Sequence, residues 1–385
     1  MKLFFIFLMS FALSAQEEPV TVFQKGEEGY YTFRIPAIIQ ASNGDILAFA
    51  EARLGKTGDT GEIHLAMKRS TDEGRTWSPM QIVWKDGANT CGNPAPVVDH
   101  KSGRIILVTT WNDGRDHEKD IRFRTSIDTR RVFCLFSDDN GKTWSPAEEI
   151  TTSVKNPEWT WYATGPCHAI QLQKGKYKGR LVVPCNHGLL ISTDKSDVRT
   201  VSHVIYSDDI GKTWQIGGNP KVGNESTIAE LQNGDLLLNM RVDAYDIDKW
   251  KANAHSRYAA ISHDAGESFE EYYFDHALTE PRCQGTIANY TKGGRLSNWL
   301  VFCNPSSKKR NNMWLKLSTD GGKSWRPVLQ VQAGSAAYSD ILVSKKGNVG
   351  ILYENGEKSC YEKISFLSVS AKIVRKASKN PIINK

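Results

Sequence analysis

One eight-residue pattern returns five times along this chain and restricts its fold more than any other feature. Ser70-Thr71-Asp72-Glu73-Gly74-Arg75-Thr76-Trp77 is the first copy, and Ser137 to Trp144, Ser207 to Trp214, Ser262 to Phe269 and Ser318 to Trp325 repeat it. The shared form is Ser-x-Asp-x-Gly-x-Thr/Ser-Trp, with Phe replacing Trp in the fourth copy. Short Asp and Ser side chains close a turn on neighbouring backbone N–H groups, and Gly supplies the positive φ such a turn needs. The terminal aromatic anchors the turn on apolar surface. Copies fall 55 to 70 residues apart, about the length of one four-stranded unit with its loops. Between them lie short apolar strands such as Arg104-Ile105-Ile106-Leu107-Val108, several preceded by Asn-Gly or Ser-Gly turns. A supersecondary unit repeated at such a period predicts a propeller or array. Five marked units plus one unmarked closing unit predict an all-β, six-bladed β-propeller with four-stranded antiparallel blades.

With 24% charged and 39% hydrophobic residues, the 385-residue chain has the composition of a globular domain with ample core material. The net charge of +6 is mild, and Lys and Arg are scattered, which argues against a nucleic-acid partner. Lys2, the apolar run Leu3 to Leu13 and the small residues Ser14-Ala15 read as a secretory signal peptide. The run is too short to span a bilayer. The expected division is therefore 1–15 as signal, 16–372 as the propeller and 373–385 as a short basic tail. The expected product is a monomer exported to the periplasm or the extracellular space. The seven cysteines, an odd number, show no metal-ligand spacing and are expected mostly to be buried as small apolar residues.

Arg34 interrupts an otherwise apolar strand in Tyr31-Thr32-Phe33-Arg34-Ile35-Pro36-Ala37, and a buried guanidinium is costly unless paired. This Phe-Arg-Ile-Pro stretch together with the spaced boxes resembles the sialidase (neuraminidase) family, glycoside hydrolases with Asp-box repeats. The resemblance runs from about Val22 to about Phe366. It implies three arginines that clamp the carboxylate of a terminal sialic acid: Arg34, Arg241 in Leu238-Asn239-Met240-Arg241, and Arg310 after Asn304-Pro305. Guanidinium forks suit this because they bind carboxylates bidentately and stay charged. It implies Arg53 as a further sugar contact and Asp59, in a Gly- and Thr-rich loop, as the general acid/base, a role that calls for a raised pKa.

A sialic acid carries a carboxylate on its anomeric carbon, so a carboxylate nucleophile would meet like charge. The family uses tyrosine, and Tyr338 matches that position. A phenol needs a base. Glu225 is the expected base, with Glu230 a rival expected to be an outward-facing charge. The resemblance also implies Glu354 as the partner of Arg34, and Glu118, with Asp116 as an alternative, as an acid near the polar groups of the sugar. Trp161, Tyr162 and the Gly165-Pro166-Cys167-His168 turn are expected pocket or core residues, and His168 and His187 pocket or turn residues. The implied activity is an exo-α-sialidase acting on sialylated glycoconjugates with retention, needing no metal or organic cofactor. Two alternatives are a trans-sialidase and a non-catalytic glycan-binding propeller.

Overall fold

A computed structural model describes residues 18–192, 198–242, 253, 255–291 and 295–383. The expected signal segment lies outside the described residues. The described chain is all-β, with only three short helices, Glu118–Arg122, Thr151–Val154 and Ala371–Ala377. No described helix is long and apolar enough to cross a membrane.

The strands form four sheets by hydrogen bonding. Two are separate units of four or five strands. The other two are larger because pairing runs on where neighbouring units touch. Strand Ile63–Ser70 joins strand Thr90–Val98 through one parallel bridge, Ile63 to Thr90, giving an eight-stranded sheet. The 18-residue strand Arg326–Val343 pairs with Asn311–Ser318 through its first part and with Val349–Gly356 through its second. The N-terminal strand Val20–Gln24 completes that same seven-stranded sheet by pairing with Lys363–Val369, so the two ends of the chain close on each other.

Central strands such as Ile46–Arg53 and Leu236–Met240 are buried along their whole length. Each carries an apolar run, Ile46 to Ala50 and Leu236 to Leu238, rather than an alternation, as a sheet covered on both faces requires. Apolar side chains from consecutive groups of strands interleave: Leu47, Phe49 and Met67 pack with Ile105 and Leu107. Val182 and Val204 likewise meet Leu236, Leu238 and Ala260. Six of the seven cysteines are buried. The C-terminal stretch expected as a tail is packed, since helix Ala371–Ala377 buries Val374 and Ala377, and Ile383 bridges to Trp325.

Each box occupies the turn that follows a third strand, and all five make the same bonds. In the first, Gly74 N–H donates to Ser70 Oγ at 2.8 Å, and Ser70 Oγ–H donates to Asp72 at 2.8 Å. Asp72 also accepts Thr76 N–H at 2.9 Å and Thr76 Oγ–H at 2.6 Å. Ser318, Asp320, Gly322 and Ser324 repeat this set at 2.8, 2.8, 2.9 and 2.6 Å. Bonds from the Thr76 side chain and backbone hold the Asp72 carboxyl down at about 2. Third strands run away from the loops between second and third strands, so the boxes lie at the opposite end of the sheets from the cleft described next.

Candidate active site

Eight of the nine sequence-expected site residues line one cleft of about 790 Å³: Arg34, Arg53, Asp59, Glu118, Glu225, Arg241, Arg310 and Tyr338. The ninth, Glu354, is fully buried beneath it. They reach the cleft from the starts of inner strands and from the loops joining second to third strands. Each large sheet contributes, so residues as far apart in sequence as Arg34 and Glu354 meet.

The inner strands are irregular where they carry these residues. Pairing slips between Arg34 and Ala37, between Gly92 and Ala95, and between Ala336 and Ser339. Bulges of this kind re-aim side chains and leave backbone N–H groups without ladder partners. Buried carboxylates take up those donors. Glu354 accepts Ile35 N–H at 2.9 Å and Tyr338 N–H at 3.1 Å while receiving the Arg34 fork at 3.1 and 3.3 Å. Ile35 sits at φ +58°, a strained place for a β-branched residue. One carboxylate thus orients the arginine, holds the strained residue after it and fixes the backbone of Tyr338. Glu51 repeats the arrangement, accepting Asn93 N–H at 2.8 Å and pairing with Arg53. A Cβ on Gly92 would come 2.4 Å from Glu51 Oε1, so that approach needs glycine.

Tyr338 donates its phenolic proton in a short hydrogen bond to Glu225 Oε1, and Arg241 Nη1 donates to Glu225 Oε2 at 2.8 Å. Arg241 Nη1 lies 3.5 Å from the Tyr338 oxygen. The guanidiniums of Arg34 and Arg310 stand 5.1 and 5.3 Å from the centre of the Tyr338 ring. The three arginines therefore converge around one phenol. Burial first, and the Glu225 charge second, raise the Tyr338 pKa well above the ordinary tyrosine value, against the pull of Arg241 and Arg310. The resting hydroxyl is protonated.

Asp59 keeps a side chain 57% exposed at the cleft mouth, open to an incoming group. Its partners are Arg53 Nη2 at 2.8 Å and Arg34 Nη1 at 3.6 Å. Partial burial raises its pKa, but the charges of Arg53 and then Arg34 outweigh that and leave the carboxyl below its ordinary value. The raised value that a general acid calls for is therefore not found: the two arginines hold Asp59 down. Arg53, itself buried, also donates to the carbonyls of Thr57 and Gly58, so it pins the loop that carries Asp59.

The rivals separate cleanly. Asp116 is buried and accepts Ile127 N–H at 2.8 Å and Asp128 N–H at 2.9 Å, closing its own loop, whereas Glu118 faces the cleft and pairs with Arg122 at 2.6 Å. Glu230 is not an outward-facing charge. It is buried and accepts Gln173 N–H at 2.7 Å and Lys174 N–H at 2.8 Å, because the neighbouring unit covers that face of the sheet. Trp161 lines the cleft, while Tyr162 is core, its hydroxyl 3.0 Å from His203 Nε2. His168 is held by Asp340 at 2.7 Å, and His187 is buried against the Trp159 ring.

The cleft also holds residues that the sequence did not single out, among them Glu51, Asn93, Arg130 and Tyr361. Glu51 stood two positions before Arg53, on the same strand face, and that spacing was a usable signal. Arg130 is buried, stacks 4.2 Å from the Trp161 ring centre, and donates to Asn93 Oδ1 and, at 2.8 Å, to Thr110 Oγ1. Burial pushes its pKa down to about 10. Seven cations (Arg34, Arg53, Lys119, Arg122, Arg130, Arg241, Arg310) against four carboxylates (Glu51, Asp59, Glu118, Glu225) make the cleft an anion receptor.

The BNR repeat-like domain matches residues 44–351, and the chain belongs to that family. Its relatives are sialidases. A sialidase of Bacteroides fragilis is 29% identical over 87% of this chain and 62% of its own length, so the chain spans less than two thirds of that relative. Sialidase-3 of Bos taurus is 29% identical over 90% of this chain and 91% of its own length. Among solved structures, the Hadza microbial sialidase Hz136 aligns with a TM-score of 0.80 at 27% identity, covering 93% of this chain and 69% of the other.

Proposed function

We propose that the chain is an exported exo-α-sialidase, a glycoside hydrolase that releases terminal sialic acid from glycoconjugates with retention of configuration. The observation that carries this is the Tyr338–Glu225 hydrogen bond with Arg34, Arg241 and Arg310 converging on the same phenol. We read the strands as six four-stranded units closing in a ring. In support, six apolar clusters each join one group of strands to the next, and Val20–Gln24 completes the unit begun at the other end of the chain.

In this reading the three arginines bind the substrate carboxylate. Glu225 takes the Tyr338 proton as the phenolate oxygen bonds to the anomeric carbon, and the glycosidic C–O bond breaks with Asp59 protonating the leaving oxygen. A neutral phenol approaches the anionic substrate without the repulsion a carboxylate nucleophile would meet. Water then gives a proton to Asp59 and attacks the anomeric carbon, while the tyrosyl oxygen leaves and recovers its proton from Glu225. The depressed pKa of Asp59 fits this cycle once the substrate is counted. Its carboxylate draws on Arg34, weakens the hold of that charge on Asp59 and adds a negative neighbour, and both changes raise the Asp59 pKa.

Release of free sialic acid from a sialylated glycan tests the function, and its pH profile tests the role of Asp59. The alkaline fall of kcat, which reports the bound state, should lie at higher pH than that of kcat/KM, which reports the free enzyme. Coincident limbs would remove Asp59 from the acid role, and a folded protein that binds the glycan yet releases nothing would remove the hydrolase reading.

A further inference from the structure

Tyr361 is a second tyrosine in the cleft, and its contacts differ in kind from those of Tyr338. The Arg34 guanidinium lies 4.2 Å from its ring centre. Its hydroxyl oxygen accepts Arg310 Nη1–H at 2.7 Å. It sits in the tip between strands Val349–Gly356 and Lys363–Val369, and that tip is tied down from several sides. The Glu362 carboxylate accepts the N–H groups of Glu357, Lys358 and Ser359 at 2.8, 3.0 and 3.0 Å. Thr32 Oγ–H donates to the Tyr361 carbonyl at 2.9 Å, and Lys25 N–H to the Glu362 carbonyl at 2.8 Å. The ring is therefore presented by a fixed backbone.

The three clamp arginines are held by different chemistry. Arg34 pairs with Glu354 and Arg241 with Glu225. Among the described residues Arg310 makes no ion pair; a phenol oxygen and the Arg282 carbonyl, at 3.2 Å, hold it instead. A neutral acceptor orients a guanidinium without cancelling its charge, whereas a carboxylate does both. Arg310 is thus the clamp arginine whose full charge remains for an incoming anion.

We propose that Tyr361 is a positioning residue for the carboxylate clamp, setting the plane of Arg310 through its hydroxyl and supporting Arg34 through its ring. This rests on the sialidase reading. It does not take part in proton transfer, because its hydroxyl faces an arginine and no carboxylate base.

The test compares wild type with Tyr361→Phe, which keeps the ring and removes the hydroxyl. Loss of a hydrogen bond to a charged group should weaken binding of free sialic acid and raise KM roughly tenfold, with a smaller change in kcat. Binding of sialic acid methyl ester, which has no carboxylate, should be unchanged, and a purely structural role would weaken both ligands alike. Adding Tyr361→Phe to Arg310→Lys should cost little more than Arg310→Lys alone. Equal weakening of acid and ester, or full additivity in the double variant, overturns the proposal. If wild type neither binds nor releases sialic acid, the functional reading fails instead, and the two failures are told apart by the wild-type arm.

Discussion

The five box turns and the cleft stand at opposite ends of the same strands and are built on opposite plans. Each box is local: the Ser, Asp, Gly and Thr/Ser bonds that all five share join residues two or four positions apart, and one set of side chains serves five times. The cleft is built once, from residues such as Glu225 and Tyr338 that lie 113 positions apart. Its strands are bulged, one β-branched residue is strained, and buried carboxylates satisfy what the ladders leave open. Regularity at one end makes irregularity at the other possible, since strain persists only where the surroundings over-determine it.

The largest effect expected at the irregular end is Tyr338→Phe. Turnover should fall by roughly 10³-fold or more, given the scale on which single members of a catalytic set act, while the thermal midpoint stays near that of wild type. Glu225→Gln should fall by roughly 10²- to 10⁴-fold as the loss of a general base. The double variant should be no worse than the more severe single one, because the two residues act as a pair. Additive losses measured by sialic acid release would show that they act separately.

Next comes Glu354→Gln, which tests whether one carboxylate unites the site. The glutamine leaves the buried Arg34 with only the exposed Asp59, 3.6 Å away, as a counter-charge, and breaking a buried pair from one side costs about 3–5 kcal/mol. Chemical denaturation should show that loss together with a rise in KM. A variant that loses activity at unchanged stability would show that the carboxylate serves substrate binding alone.

The difference between the two ends also explains what the sequence revealed. The boxes were legible because their chemistry is local, and one pattern implies its turn. The site residues were legible only through the Phe33-Arg34-Ile35-Pro36 stretch and its resemblance to a known family, since tertiary packing, not sequence proximity, brings Glu225 to Tyr338. Tyr361 and Arg130 carried no such marker, one in a short tip and the other beside Arg131 at a strand start. Glu230 was misjudged because an outward-facing charge assumes a sheet with one wet face, and this sheet is covered on both. The C-terminal stretch looked like a basic tail because its lysines dominate, yet Val374 and Ala377 share one buried helix face.

At the regular end, Gly74→Ala should cost stability and spare the chemistry. A Cβ there would lie 2.0 Å from the Phe366 ring, and the residue holds φ +94°. Overpacking of this kind costs about 1–3 kcal/mol, and the positive φ adds to it. The thermal midpoint should drop while KM stays at the wild-type value for the protein that remains folded. A changed KM would mean that the two ends communicate through the strands.

The smallest effect joins the two ends through the middle of the body, where Asp340 accepts His168 Nδ1–H at 2.7 Å, Ile38 N–H at 2.9 Å and Thr286 Oγ1–H at 2.9 Å. One carboxylate thereby ties the first, third, fifth and last groups of strands. Burial lowers the His168 pKa, but Asp340 outweighs it by charge and hydrogen bond, so the folded value lies above the ordinary 6.5. A histidine raised on folding stabilises the protein fully below its unfolded pKa, and that share disappears as pH climbs through the raised folded value. Stability should therefore decline from about pH 6.5 upward, and His168→Gln should flatten that part of the profile without reaching the alkaline limb of kcat. Thermal midpoints of both proteins across that range decide it: an unchanged slope in the variant would assign the pH dependence to other groups, and a shifted kcat limb would place His168 within reach of the chemistry.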